Sequence, residues 1–234
     1  MKIIRIAKLY QDLEQRLEEL RRDRSAVEES RRRLEAALKE GGTHYGVNTG
    51  FGVLSGKRID PDQILRLQRN LLLSHAVGVG DPIPRELSRL MLKLKIHGLG
   101  LGFSGVSPPV FQLLLDFVER DLIPLVPSRG SVGASGDLAP LAHLSLPLVG
   151  LGQFWNREGN GGRPAREILS EAGLEPVRLE AKDGLSLING TQMMSAYGAW
   201  VLERALRLLK IADLLGAMSL EALQGSIKPF DARI

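Results

Sequence analysis

The residues with the most distinctive chemistry lie in one short segment. Small residues fill all but one position from Gly130 to Gly136. The Gly136 nitrogen is unhindered, and the Ala134 carbonyl lies two residues earlier, so joining these atoms would close a five-membered ring. Loss of water from that ring, and of the Ser135 hydroxyl as a second water, would leave a methylene conjugated to a carbonyl. The segment therefore has the composition needed to form a strong electrophile, with glycines that tolerate the strained backbone.

The same segment has other interpretations. A run of small residues is typical of a tight loop or an anion-binding turn. Ser135 also resembles a hydrolase nucleophile, but the sequence Gly133-Ala-Ser-Gly-Asp137 does not match the G-x-S-x-G pattern, and the strand-to-helix context is missing. The tripeptide Ala-Ser-Gly is common by itself, so its meaning depends on the sequence around it.

Two other candidate sites do not fit their patterns. The letters of Gly100 to Gly105 match a dinucleotide fingerprint but follow a predicted helix rather than a strand, so we predict no nucleotide there. The four histidines are too dispersed for a local metal motif, and we predict no metal. Cysteine is absent, which excludes disulfides, thiolate nucleophiles and cysteine-ligated metals.

A longer pattern surrounds the triplet and carries a family resemblance. The stretch Gly130-Ser-Val-Gly-Ala-Ser-Gly-Asp-Leu-Ala-Pro-Leu-Ala-His143 resembles the aromatic amino acid ammonia-lyases that act on histidine and phenylalanine. Further blocks resemble the same family, in order along the chain: Tyr45-Gly-Val-Asn-Thr-Gly-Phe-Gly52, Asn70 to Gly80, Leu187-Ile-Asn-Gly-Thr-Gln192, and Ser219 through Asp231. The likeness is closest to the members that act on histidine.

The resemblance implies a prosthetic group and two catalytic side chains. In the family, an Ala-Ser-Gly triplet forms 4-methylidene-imidazol-5-one, which places this group on Ala134, Ser135 and Gly136. Tyr45 matches the family's catalytic base, for which nearby positive potential must activate the phenol; its other interpretation is a packed aromatic residue. Asn189 matches the asparagine beside the prosthetic group, although Asn-Gly is also a common turn signal.

Substrate binding is assigned by resemblance to three further residues. Ser74 and His75 resemble the pair found in members that act on histidine, and His75 can hydrogen-bond an imidazole. Leu185 resembles a leucine that lines the substrate pocket, although a core leucine is the commoner role. The expected reaction is therefore elimination of ammonia from L-histidine to give trans-urocanate. The alternatives are a tyrosine or phenylalanine lyase, an aminomutase, or a truncated homologue without catalysis.

Asp137 follows the triplet directly and has two possible roles. Its carboxylate could orient the loop through hydrogen bonds to the backbone, or it could cap a helix that begins at Leu138. Both roles stay open from the sequence.

Hydrophobic periodicity predicts a mainly helical chain with few strands. Predicted helices cover roughly residues 6 to 40 as one or two segments, 61 to 76 with Asp60 or Asp62 as cap, 84 to 97, 108 to 118, 138 to 149 with a break near Pro147, and 191 to about 223. Residues 150 to 164 predict a turn or hairpin.

The resemblance also predicts the larger architecture. We expect a long-helix bundle of the ammonia-lyase and fumarase/aspartase-like type, in which residues 1–234 form the helical, loop-rich domain that carries the prosthetic group. The central bundle would start near residue 190. Family members continue past the equivalent of Ile234, so we expect the C-terminal half, with its further site residues, to be absent from this chain.

Composition limits the partners. Basic side chains number 31 and acidic ones 27, mixed along the chain, so nothing indicates nucleic acid. The first residues lack the apolar core of a signal peptide, and no run reaches membrane-spanning length. We therefore expect a cytoplasmic enzyme that binds a small amino acid. The resemblance adds a homotetramer, and the apolar helix near residues 200 to 223 agrees with such an assembly.

Overall fold

The computed structural model describes residues 3–49, 59–132 and 136–233, without the side chains of residues 61 and 62. Ala134 and Ser135, the first two members of the predicted ring, lie outside the described residues. So does the side chain of Asp62, one of the two predicted helix caps. Gly136 and all the other predicted site residues are described.

The described chain is mainly α-helical, as predicted. Its α-helices are α1 (Leu9–Arg22), α2 (Ser25–Lys39), α3 (Pro61–His75), α4 (Arg85–Leu99), α5 (Pro108–Glu119), α6 (Leu138–Ser145), α7 (Ala165–Glu171), α8 (Asp183–Ile188) and α9 (Gln192–Ala222). Short 3-10 turns cover Ile6–Lys8, Leu146–Val149 and Lys228–Phe230.

Local sequence signals account for some helix boundaries and not for others. Helix α5 begins at Pro108 with Ser107 before it, where the missing proline N–H has no helical acceptor to lose. Helix α6 gives way to the 3-10 turn that contains Pro147, which confirms the predicted break. Asp60 occupies the position before α3, but its side chain makes no capping hydrogen bond. Pro84 precedes α4 rather than occupying its first turn.

Two small antiparallel sheets contribute the described strands. Strands β3 (Gln153–Trp155) and β4 (Gly162–Pro164) form the predicted hairpin, with Phe154 paired to Arg163. Strand β1 (Val79–Pro82) pairs with the distant β2 (Pro127–Arg129), and this pairing was not predicted. It brings the segment after α3 beside the segment that leads into the Gly130 to Gly136 loop.

The hydrophobic core is one continuous cluster, to which α1, α4 and α5 contribute many of the buried side chains. Leu13, Met91 and Phe111 are completely buried there. Phe117 on α5 meets Phe154 on β3 edge to face, with ring centroids 4.9 Å apart. The helices thus bury the faces that their periodicity indicated.

Buried polar groups connect the segment before α8 to the rest of the fold. The Arg31 guanidinium donates to the Ala181 carbonyl at 2.9 Å and forms an ion pair with Glu180. The Asp183 carboxylate accepts hydrogen bonds from the backbone N–H and hydroxyl of Ser107, at 2.8 and 2.7 Å. Burial raises the pKa of Asp183. Helix α8 is therefore fixed to α2 and α5 at its N-terminal end.

The glycine-rich loop from Gly100 to Gly105 has a packing role. It follows α4 and makes close contact with α2. A Cβ added at Gly102, where φ is +79°, would lie 2.6 Å from the Ala26 carbonyl oxygen. Gly102 therefore allows the backbone of this loop to approach the backbone of α2. This packing explains why a glycine stands at position 102, which was one letter of the dinucleotide pattern.

Helix α9 is the longest element, and most of it extends away from the core. Its 31 residues span about 46 Å. Only Met193 and Ala196, near its start, are buried. Large apolar side chains are exposed along the remainder: Val201, Leu202, Leu206, Leu208, Leu209, Ile211, Leu214, Leu215 and Met218. The extent of the helix confirms the prediction for residues 191 to 223.

Candidate functional site

Gly136 lies in close contact with Gly190, on the turn that leads from α8 into α9. The two residues form a parallel β-bridge, and the Asp137 N–H donates to the Gly190 carbonyl at 2.8 Å. Gly136 has φ +95°, and a Cβ there would lie 2.2 Å from the Gly190 oxygen. Since that obstacle is backbone, position 136 accepts only glycine in this arrangement.

The Asp137 carboxylate holds this contact in place from the interior. Asp137 is completely buried. One carboxylate oxygen accepts from the Ser131 hydroxyl at 2.9 Å, and the other accepts from the N–H groups of Met193 and Met194 at 2.8 and 3.0 Å. These are N–H groups of the first turn of α9, which have no acceptor within the helix and favour a negative charge.

The two predicted roles of Asp137 are therefore resolved by the structure. Its side chain makes no capping hydrogen bond to α6, the helix that follows it. It caps α9 instead, a helix that begins 55 residues later in the chain. The prediction of hydrogen bonds to backbone that orient the loop agrees with these contacts.

Asn189 and Leu185 line a common cavity of about 300 Å³ beside this contact. Leu185 is half-buried rather than part of the closed core, and Asn189 is exposed. Lys95 and Lys182 also line the cavity, with Phe103, Ser104, Ser186 and Gln192. The cavity therefore combines two predicted site residues with two lysines that the sequence analysis did not select.

Lys95 is the most unusual side chain in this cavity. It is 2% exposed, and its Nζ donates to the Asn189 carbonyl oxygen at 2.8 Å. Burial lowers the pKa of Lys95 to about 7, because a charged amine loses hydration in the interior. Burial also lowers the pKa of Lys182. Nothing in the sequence distinguished Lys95 from Lys93, the other lysine of α4.

Ser74 and His75 lie at the C-terminal end of α3. The His75 Nδ1 is 2.8 Å from the Leu71 carbonyl oxygen and 3.1 Å from the Ser74 hydroxyl oxygen. Because a carbonyl only accepts hydrogen bonds, this contact places the proton of a neutral ring on Nδ1. The Nε2 atom then carries a lone pair and can accept a hydrogen bond from a ligand. Neither Ser74 nor His75 lines the cavity beside Asn189.

Tyr45 lies in the turn that follows α2 and is 58% exposed. The turn is closed by the Asn48 side chain, whose Oδ1 accepts from the His44 N–H at 2.7 Å and whose Nδ2 donates to the Gly42 carbonyl at 2.7 Å. Tyr45 is not part of the lining of the cavity beside Asn189. Its connection to the other predicted residues runs through α3.

Gln68 provides that connection and was not predicted. It is completely buried on α3, the helix that also carries Ser74 and His75. Its Nε2 donates to the Gly46 carbonyl at 3.3 Å, and its Oε1 accepts from the Gly184 N–H at 2.9 Å. One amide thus joins the Tyr45 turn to the start of α8. The sequence signal for this role was a glutamine among the apolar residues on one face of α3.

His143 holds the segment after His75 against α6. Its Nε2 accepts from the Gly78 N–H at 3.0 Å, so this nitrogen carries no proton. Burial lowers the pKa of His143, which favours the neutral ring that the contact requires. His143, the last residue of the stretch that begins at Gly130, therefore fixes the segment that follows His75.

Two other kinds of site, a metal cluster and a membrane-spanning helix, are absent from residues 3–49, 59–132 and 136–233. In this part of the chain, no group of three or more histidine, aspartate or glutamate side chains is arranged to hold a metal ion. Among the helices of the same residues, none combines the length and apolar character needed to cross a membrane.

Comparison with known proteins gives a consistent result. The family model of aromatic amino acid lyases matches residues 1–234. The chain is 52% identical over 216 residues to histidine ammonia-lyase of Anaeromyxobacter sp. strain K, covering 90% of this chain and 42% of that protein. It is 54% identical over 187 residues to the same enzyme of Deinococcus radiodurans, covering 80% of this chain and 35% of that protein.

Solved structures agree with these sequence matches. Histidine ammonia-lyase from Trypanosoma cruzi superimposes with a TM-score of 0.80 at 37% identity, over 88% of this chain and 40% of that one. Tyrosine aminomutase from Streptomyces globisporus gives a TM-score of 0.81 at 33% identity, over 89% and 39%. The chain spans about two-fifths of the length of these relatives.

The Gln68 contacts predict a measurable local effect. In Gln68→Leu, the Gly46 carbonyl and Gly184 N–H lose their buried partner, at a cost of about 1–3 kcal/mol for each unsatisfied group. We expect a lower Tm and faster hydrogen exchange at the Gly184 amide. Gln63→Leu, at an exposed position of the same helix, is the matched control. Unchanged exchange at Gly184 in the Gln68 variant would show that the hydrogen bond from the Gly184 N–H to the Gln68 side chain does not form.

Two half-buried histidines predict acid sensitivity. Since the pKa values of His143 and His97 are lowered in the folded chain, the unfolded chain binds protons first as the pH falls. Stability should therefore be full above a pH of about 6.5 and decline below it. His143→Gln keeps an acceptor for the Gly78 N–H but does not titrate. Its Tm should fall less steeply than that of the wild type between pH 7.5 and 5.5, and equal slopes would contradict this role.

Proposed function

Because the chain belongs to the aromatic amino acid lyase family, we propose that it forms the N-terminal part of an enzyme that eliminates ammonia from L-histidine to give trans-urocanate. The observation that carries the choice of substrate is 52% identity with a histidine ammonia-lyase over 90% of the chain. Among the solved structures, the identity is 37% with a histidine ammonia-lyase and 33% with a tyrosine aminomutase. The Ser74-His75 pair, selected from the sequence by resemblance, is the structural element that we assign to substrate recognition.

The described residues fit a methylidene-imidazolone formed from Ala134, Ser135 and Gly136. Gly136 would supply the ring nitrogen, and its contact with Gly190 leaves no space for a side chain. The hydrogen bond from the Asp137 N–H to Gly190 fixes the residue that follows the ring. When bound, such a group supplies an electrophile that helps an amine to leave. Its formation consumes the Ser135 hydroxyl, so Ser135 acts as a precursor and not as a nucleophile.

His75 would recognise the substrate imidazole. Its Nδ1 proton is directed to the Leu71 carbonyl, so Nε2 can accept a hydrogen bond from the substrate ring N–H. His75 is half-buried, and a bound phenyl ring would cover this acceptor without satisfying it, which disfavours phenylalanine, whereas the hydroxyl of tyrosine could still satisfy it. Ser74 holds the His75 ring through its hydroxyl. Leu185 would contribute apolar surface to the pocket.

Tyr45 and Asn189 would act on the reacting centre. Tyr45 is the proposed base that removes the β-proton, and its exposed phenol is accessible to a ligand. Asn189 can both donate to and accept from the substrate or the prosthetic group through its side-chain amide. Gln68 sets the position of the Tyr45 turn relative to α8, so these two residues depend on one buried amide.

The complete enzyme would extend beyond this chain. Relatives are more than twice as long, and we propose that residues 1–234 form the domain that carries the prosthetic group while α9 begins the central helical bundle. The exposed apolar side chains of α9 support this proposal, because such a face is stable only when covered. In a homotetramer, neighbouring subunits would bury part of this apolar face of α9. Cytoplasmic location stays a prediction.

The reaction is tested with the full-length protein and a substrate panel. We expect near-ultraviolet absorbance of urocanate to appear with L-histidine, and much slower turnover of L-tyrosine and L-phenylalanine. In His75→Leu, kcat/KM for histidine should fall by roughly 10-fold or more, while that for phenylalanine changes less, because only the imidazole loses a partner. A preference for tyrosine, or a β-amino acid product, would instead support a tyrosine lyase or an aminomutase.

Intact mass tests the prosthetic group. The wild-type chain should weigh less than its sequence by the mass of two waters, and Ser135→Ala should lose catalysis while keeping the Tm within a few degrees. The fold should persist because only a hydroxyl in a small loop is removed. A wild-type mass equal to that of the sequence would leave no electrophile and would favour a non-catalytic homologue. Full activity in Ser135→Ala would contradict the mechanism.

A further inference from the structure

Lys95 is buried, and within the part of the chain that the structure describes no carboxylate forms an ion pair with its amine. Moving an amine from water into the interior is unfavourable, and burial is the cause of its lowered pKa. Lys93, on the same helix, differs because it forms an ion pair with Glu14. The contact of the Lys95 amine is the backbone carbonyl of Asn189. The buried amine of Lys95 therefore has as its hydrogen-bond partner a backbone atom of Asn189, one of the proposed catalytic residues.

Asn189 lies where the chain needs an external support. It follows the last residue of α8, with ψ of 129°, and precedes Gly190, whose φ of +143° is a conformation that residues with a side chain rarely adopt. The next carbonyl, that of Gly190, accepts from the Asp137 N–H. Consecutive carbonyls are thus held from two elements, one by α4 through Lys95 and one by the segment that carries the triplet. Without Lys95, the Asn189 carbonyl would lose its hydrogen bond to α4, while the Asn189 N–H would keep its bond to the Leu185 carbonyl at 3.1 Å and Gly190 its bond to Asp137.

We propose that Lys95 is a positioning residue that fixes the Asn189 peptide group and so holds the Asn189 side chain in its catalytic orientation. The inference rests on the proposed function, since it assigns Asn189 to the reacting centre. Lys95 acts through Asn189. Its long side chain reaches from α4 across the wall of the cavity, and an amine donates a hydrogen bond whether it is charged or neutral.

The consequence concerns turnover more than binding. Asn189 would contact the reacting centre, and a displacement of about 1 Å at such a position can reduce the rate roughly 100-fold. The side chains that would recognise the imidazole are on α3, which Lys95 does not contact through this bond. Loss of the Lys95 amine should therefore lower kcat while KM changes less.

The test is a double-mutant cycle in the full-length enzyme. Lys95→Met, which keeps the apolar stem, should lower kcat by roughly 10- to 100-fold with KM within about threefold. Lys95→Arg, which keeps a donor, should recover part of this loss. In the Asn189→Ala background, Lys95→Met should cost little, because the residue through which it acts is gone. Lys93→Met, the matched loss of a lysine on α4, should leave kcat within about twofold.

Two readouts separate this inference from the proposed function. A wild-type protein without activity and without the loss of two waters means that the proposed function fails. The role of Lys95 is overturned if the wild type is active and Lys95→Met keeps full kcat. It is also overturned if Lys95→Met lowers kcat equally in the wild-type and Asn189→Ala backgrounds. If Lys95→Met does not fold, Lys95→Arg is compared in the two backgrounds under the same criterion.

Hydrogen exchange gives a readout that does not depend on turnover. The peptide that contains residues 189 to 191 should exchange faster in Lys95→Met than in the wild type or in Lys93→Met. This measurement decides the case if the Asn189→Ala background has no detectable activity. Exchange equal to that of the wild type would show that Lys95 does not hold the Asn189 peptide group, and the inference would be wrong.

Discussion

The candidate site depends on one buried carboxylate. Asp137 has no exposure to water, and a carboxylate in such a place is stable only when its oxygens are hydrogen-bonded. They accept from Ser131 and from the first turn of α9. The same residue donates its backbone N–H to Gly190. The loop of the triplet, the turn after α8 and the beginning of the longest helix therefore share one anchor, and the partial positive charge of a helix N-terminus stabilises it.

The remaining site residues are positioned by further buried polar groups on different helices. Gln68 on α3 joins the Tyr45 turn to α8, and Lys95 on α4 reaches the carbonyl of Asn189. Each of these groups would be costly if it lost its partner, because water cannot replace it inside the protein. The loops that carry the proposed chemistry are thus tied to a helical core through side chains that belong to that core. Rigid elements of this kind suit a site in which atoms must be held closely in place.

Local sequence signals predicted some elements well and others not at all. The Ser107-Pro108 start and the apolar periodicity after it were enough to place α5, and the apolar length of α9 was visible without any structure. Helix α8 has only six residues, too few for a periodic pattern to be recognised. The β1 and β2 pairing joins segments almost 50 residues apart through the backbone, so side-chain patterns gave little indication of it.

The sequence by itself determined the family resemblance and the position of the Ala-Ser-Gly triplet. It also identified the residues to which roles are assigned, Tyr45, Ser74, His75 and Asn189, because the chemistry requires particular side chains in a particular order along the chain. It also determined the mainly helical class, through the period of its apolar residues. Only the tertiary structure decided that Asp137 caps α9 and that Lys95 and Gln68 hold the loops. Those contacts join positions between 22 and 116 residues apart. Such pairings depend on how helices pack in three dimensions, which local propensity does not encode.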